Sequence, residues 1–162
     1  MNRFDHIKGR FSVTKMKIRF DIKEQKMDKD AIKKLLPHRE PMLLIDEAEL
    51  VDGEAVAKYT VRGDEWFLQG HFPGNPVVPG VILCEMMGQS ACVLVNQEGD
   101  YTPYFSGMDK IRFKNKVLPG DVITFRSKVD RAKGPFYFIK SAGYVNDKLC
   151  VSGELSFAVV RG

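Results

Sequence analysis

The sequence has few of the residues that build metal centres or covalent cross-links: three cysteines and three histidines in 162 residues. Cys84, Cys92 and Cys150 lack metal-ligand spacing, so no metal is expected. Cys84 and Cys92 fall on one expected helix, too far apart to bridge. An odd count suggests free thiols and a cytoplasmic protein. No apolar run is long enough to span a bilayer, so no membrane partner is expected. The opening MNRFDHIKGRF mixes charges throughout and does not read as a secretory signal. Internal repeats and low-complexity segments are missing too. What remains is an ordinary globular composition, 44% hydrophobic, long enough for one domain with a sizeable core.

The formal net charge is +4, but its distribution argues against nucleic acid as a partner. Residues 1–26 hold eight Lys/Arg against three Asp/Glu. Residues 31–104 are acidic, with five basic side chains against eleven acidic ones, and residues 105–140 are basic, nine against three. The result is a local basic belt on a nearly neutral body, suited to steering an acidic partner. Residues 1–26 show little apolar periodicity and read as a loosely docked extension. Residues 27–162 read as the domain, and Met27 is a candidate start.

Within the domain, Asp28 to Leu36 reads as a short helix, capped by Asp28 or Asp30 and ended by Pro37. Met42 to Leu50 and Glu54 to Val61 are apolar-rich runs joined at Asp52-Gly53, a hairpin signal. GHFPGNPVVPG at 70–80 holds three prolines and three glycines, too many for regular structure, and reads as a rigid loop. Val81 to Gln97 is apolar on nearly every face, as in a buried helix. Its small residues Gly88, Ser90 and Ala91 invite close packing. Lys110 to Lys114 alternates strictly, which predicts a strand with one wet basic face and one buried face. Pro119-Gly120-Asp121 turns the chain, and 122–129, 136–145 and 149–159 continue as strands. The sum is an α+β domain: five or six antiparallel strands wrapped around one long helix.

Glu85 is the only formally charged side chain between Val81 and Gln97. A carboxylate in such a helix must take up a proton or find a partner. A structural carboxylate tied into the core is the plain alternative. His71 weighs against it: the histidine sits in the rigid loop just before the helix. A neutral imidazole and a protonated carboxylic acid in a dry site make a base and an acid. Gly80 opens the helix after Pro79, so its N–H faces outward at the end that favours negative charge. That amide could steady an enolate-like oxygen, and a glycine lets a ligand approach the backbone. Gln89 lies one turn beyond Glu85 and could orient it.

GHFPGNPVVPGVILCEMMGQS resembles the signature of the bacterial dehydratases of type II fatty-acid synthesis, the FabZ type. LLPHREPMLLIDE at 35–47 and KIRFKNKVLPGD at 110–121 are similar to two further segments of that family. The resemblance covers about residues 28–160. It implies the hot-dog fold, with His71 and Glu85 as catalytic base and acid. It implies a homodimer in which each site takes its histidine from one subunit and its glutamate from the other, commonly assembled as a trimer of dimers. Tyr104 matches a tyrosine near the family's substrate-tunnel entrance. His38, in the PHR segment, is expected to line the tunnel. Glu40 departs from the family, which usually has an aromatic residue there.

The activity implied is removal of water from a 3-hydroxyacyl thioester, giving a trans-2-enoyl thioester. The substrate arrives on the phosphopantetheine arm of acyl carrier protein, and no metal or redox cofactor is required. Lys110, Arg112, Lys114 and Lys116, with Arg126, Lys128, Arg131 and Lys133, are the expected docking residues for that acidic carrier. Glutamate at 85 favours the plain dehydratase over the relative that also isomerises the double bond. Two rivals remain: another hot-dog enzyme, either a thioesterase or a coenzyme A-linked hydratase, and a non-catalytic acyl-binding module.

Overall fold

The computed structural model describes residues 25–95 and 100–161. Most of the expected extension, residues 1–24, lies outside them, as do residues 96–99, the end of the expected helix.

Among the described residues, seven strands form one antiparallel sheet: β1 (Gln25–Met27), β2 (Glu47–Val51), β3 (Glu54–Thr60), β4 (Tyr101–Phe113), β5 (Val122–Lys133), β6 (Phe136–Val145) and β7 (Lys148–Arg161). Their order across the sheet is β1-β2-β3-β5-β6-β7-β4. Five or six strands were expected; the addition is β1, which pairs with β2 through Gln25↔Leu50 and Met27↔Ala48. The sheet thus includes two residues assigned to the extension.

Among the described residues, two α-helices accompany the sheet, α1 (Lys29–Leu35) and α2 (Gly80–Cys92). Asp28, not Asp30, caps α1, its carboxylate accepting from Ala31 N at 2.9 Å. α2 lies against β3, β4, β5, β6 and β7. Its Met86 and Met87 are fully buried, as are Ile123 and Phe125 of β5, Ile139 of β6 and Leu155 of β7. Each such side chain contributes about 1.5–3 kcal/mol of transfer free energy. The sheet wrapped on one long helix is the architecture expected.

Four local readings need correction. The expected helix to Gln97 ends at Cys92, where Leu94 N bonds Ala91 O and Val95 N bonds Cys92 O, tightening the chain into a three-residue turn. Nor is α2 buried all round, because Val81 is 75% exposed. The expected strand from Met42 begins only at Glu47: Leu43, Leu44 and Ile45 are buried, but Leu44 N donates to the Gln89 side chain and not to a neighbouring strand.

The fourth correction concerns β4. The strict alternation of 110–114 does not survive, because β4 carries one extra residue between Asp109 and Arg112, opposite Glu154 and Ser152. Lys110 takes a positive φ of 53° there. The strand ends at Phe113, which is 54% exposed where a buried face was expected. Lys114 and Lys116 lie in the loop beyond it.

The Asp52-Gly53 hairpin is as expected. Both residues have positive φ, 50° and 77°, the geometry that matches the twist of β2 and β3.

Candidate active site

The loop between the short 3₁₀ turn Trp66–Leu68 and α2 is held by its own backbone. His71 N donates to Leu68 O at 3.2 Å, and Val77 N donates to His71 O at 2.9 Å. Phe72 and Asn75 exchange a pair of backbone bonds across the tight bend between them. The His71 ring stacks on Phe72, centroids 3.9 Å apart. Its Nδ1 lies 2.8 Å from Val77 O. A carbonyl only accepts, so Nδ1 carries the hydrogen, and in the neutral ring Nε2 keeps its lone pair. The loop therefore fixes one tautomer of His71, the one whose Nε2 can take a proton.

Glu85 lies one turn into α2, its side chain 21% exposed. Its Oε1 accepts from Gln89 Nε2 at 2.8 Å and lies 3.2 Å from His38 Nε2. Gln89 is itself 1% exposed and saturated: Nε2 also donates to Met42 O at 2.7 Å, and Oε1 accepts from Leu44 N at 2.8 Å. One amide thus fastens the 42–45 segment to α2 and orients Glu85. His38 is set in place from its own segment, where the Arg39 guanidinium donates to Leu36 O at 2.9 Å and to His38 O at 2.6 Å.

Burial pushes the Glu85 carboxyl up, but the hydrogen bonds from His38 and Gln89, with the charge His38 can carry, outweigh it and hold the group below its ordinary value. This departs from the expected protonated acid. The dry helix alone would have produced one; His38, 47 positions earlier in the chain, reverses the balance.

Gly80 starts α2 as expected, with Ile82 N and Leu83 N both turned onto Pro79 O. The space beside it is not free for a ligand in this chain. A Cβ at Gly80 would stand 2.8 Å from the Phe113 ring, so the glycine admits that ring. Among the described residues, no hydrogen bond or ion pair joins His71 to Glu85. Nor does any group of three or more His, Cys, Asp or Glu side chains there have the placement to hold a metal ion. No described helix is long and apolar enough to cross a membrane.

Residues 36–154 match the FabA-like domain family. The 3-hydroxyacyl-acyl-carrier-protein dehydratase FabZ of Clostridium perfringens is 39% identical over 137 residues, covering 82% of this chain and 99% of the relative. That of Caldicellulosiruptor saccharolyticus is 41% identical, covering 82% and 98%. The chain belongs to the FabZ-type dehydratase family. Among solved structures, a dehydratase heterocomplex from Xenorhabdus doucetiae superposes with a TM-score of 0.70 at 20% identity, covering 80% of this chain and 91% of that one. A putative thioesterase from Ralstonia eutropha superposes with a TM-score of 0.56 at 17% identity, covering 70% and 83%. Together with the sheet wrapped on α2, these likenesses give the hot-dog fold.

Within this FabZ-type domain, His38, Glu85 and Gln89 form one hydrogen-bonded group, and His71 stands outside it. Tyr104 lies on β4, opposite Ala158 and 58% exposed. All eight basic residues of the belt are exposed. Lys110 is paired with Glu154 at 2.8 Å, Arg126 lies 3.8 Å from Glu54, and Arg131 stacks 4.1 Å above Phe138. Sequence reasoning missed the His38–Glu85 contact and the anchoring of the 42–45 backbone by Gln89. A glutamine inside an otherwise apolar helix was the available signal, since a buried amide must find partners.

Proposed function

We propose that the chain dehydrates (3R)-3-hydroxyacyl-acyl-carrier-protein to the trans-2-enoyl form in type II fatty-acid synthesis, with His71 as base and Glu85 as the group that protonates the leaving hydroxyl. The observation that carries the reading is the fixed tautomer of His71, whose Nε2 is the free lone pair. The thioester acidifies C2, and Nε2 takes that proton. The Gly80 N–H, at the positive end of α2, meets the oxygen on which charge develops. Glu85, oriented by Gln89, passes a proton to the C3 hydroxyl, which leaves as water. Only protons and water move, so the step calls for no metal or redox group. Incubation with 3-hydroxyacyl carrier proteins of several chain lengths tests this: enoyl absorbance supports dehydration, and free thiol indicates a thioesterase instead.

The same proposal includes a cytoplasmic homodimer with shared sites, assembled as a trimer of dimers. Its support is the unjoined His71 and Glu85, and the edge of β4 at the end of the sheet, unpaired among the described residues. That edge carries Tyr104, Phe105, Met108 and Phe113, each more than a third exposed. An edge this apolar requires a cover. In the assembled site Tyr104 stands at the tunnel entrance, and Phe113 must yield Gly80 to the substrate.

Acyl carrier protein docks on the basic belt in this reading. Lys114, Lys116, Lys128 and Lys133, which have no acidic partner among the described residues, carry most of the attraction. Reversing Lys114 or Lys116 should raise KM for the carrier-bound substrate about two- to fivefold each, the range of a single exposed ion pair. KM for a small thioester should stay constant, and added salt should mimic the substitutions. Equal changes for both substrates would remove the docking role. Deleting residues 1–24, which spares β1, should leave most turnover, measured with the same substrate. Loss of folding or activity would make the segment integral.

A further inference from the structure

The lowered carboxyl of Glu85 poses a chemical question, because an ionised carboxylate has no proton to give. His38 stands where an answer must come from. Its Nε2 is 3.2 Å from Glu85 Oε1, and its Nδ1 is a buried nitrogen with no hydrogen-bond partner among the described residues. The ring cannot be satisfied at both nitrogens. When His38 is an imidazolium, one N–H points at the carboxylate and the other is bare. The one path for a proton between the two side chains is therefore along Nε2 to Oε1.

We propose that His38 is the positioning residue that supplies Glu85 with its proton, the two side chains holding one transferable proton between them. The proposal rests on the dehydratase reading and deepens it. The step balances: the Nε2–H bond of the His38 imidazolium breaks, and an O–H bond forms on Glu85. Glu85 then passes that proton to the departing C3 hydroxyl, which leaves as water. His71 holds the C2 proton and releases it to solvent, and solvent returns one to His38. The groups facing the pair leave it this proton. Gln89 is a neutral amide, and Cys92 is a buried thiol that burial and the Glu85 charge both push up, keeping it protonated. Arg39 contacts the His38 carbonyl and not its ring.

His38→Gln is the deciding variant, because a glutamine amide can still donate to Glu85 Oε1 but cannot transfer a proton. kcat for the carrier-bound substrate should fall about 10- to 100-fold, toward the low end of what a proton-transferring group contributes. KM should be nearly unchanged. The alkaline limb of the kcat profile should move to lower pH by about one to two units, because the proton then resides on a lone carboxyl and not on an imidazole–carboxyl pair. Added imidazole should restore part of kcat in His38→Ala. A His38 that merely lines the tunnel would change KM with chain length and leave the limb in place, and that result overturns the proposal. The second readout needs no turnover. The carboxyl carbon of Glu85, followed by NMR against pH, should titrate in two steps in the wild type and in one step in His38→Gln. One step in both proteins refutes the shared proton. A wild type that makes no enoyl product refutes the dehydratase reading, and the NMR titration still decides His38.

Discussion

His71→Ala and Glu85→Gln should each reduce turnover by about 10²–10⁴-fold, the contribution expected of a general acid or base, with the fold intact. His71 is confined to a loop fixed by its own backbone bonds, and Glu85→Gln keeps an acceptor for Gln89. The two inactive proteins should then complement one another. With shared sites, a mixed dimer has one site that receives both damaged residues and one that receives neither. Random reassociation makes roughly half the dimers mixed, so about a quarter of all sites regain full chemistry, as two-fold symmetry requires. The measurement is turnover after the variants are unfolded and refolded together, compared with each refolded alone. If mixed dimers form and no activity returns, His71 and Glu85 act within one chain.

What could be read from the sequence was local chemistry. Asp28 caps, Pro37 stops, Asp52-Gly53 turns, and the proline–glycine loop stays irregular, because each depends on residues a few positions apart. Non-local bonds were not legible. The 42–45 segment looks like the start of a strand by its apolar run, yet a glutamine 45 residues later takes the Leu44 amide. The 110–114 alternation is perfect as a pattern, but β7 offers one residue, Gly153, where β4 has two, Lys110 and Ile111, and the extra residue is accommodated at Lys110. The bulge and the end of the strand at Phe113 dismantle the single basic face. His71 and Glu85, the proposed acid–base pair, were legible as residue types. The lowering of the Glu85 carboxyl was not, because it depends on His38 from a separate segment.

The amide that connects these elements should also be the most costly to remove. Gln89→Leu keeps the approximate volume and deletes three hydrogen bonds: from Leu44 N, to Met42 O and to Glu85. Leu44 N is left on a segment whose side chains Leu43, Leu44 and Ile45 are buried, so water does not readily replace its partner, whereas Met42 is 39% exposed and its carbonyl lies nearer to water. The unpaired buried amide costs about 1–3 kcal/mol and the part-buried carbonyl about 1 kcal/mol, giving about 2–4 kcal/mol in all. For a chain of this size the melting temperature should drop by on the order of 10 °C. Activity should fall further than unfolding explains, because Glu85 keeps only its contact with His38. Gln89→Glu separates the two effects. Its carboxylate can still accept from Leu44 N, which retains part of the stability, but it sets a like charge beside Glu85 and cannot donate to Met42 O. That variant should melt above Gln89→Leu and show an alkaline limb moved to higher pH, since a neighbouring negative charge makes Glu85 hold its proton longer. A Gln89→Leu protein that melts with the wild type would mean that the 42–45 segment is held by its buried side chains alone. A Gln89→Glu protein with an unmoved pH profile would mean that Glu85 does not titrate in the rate-determining step.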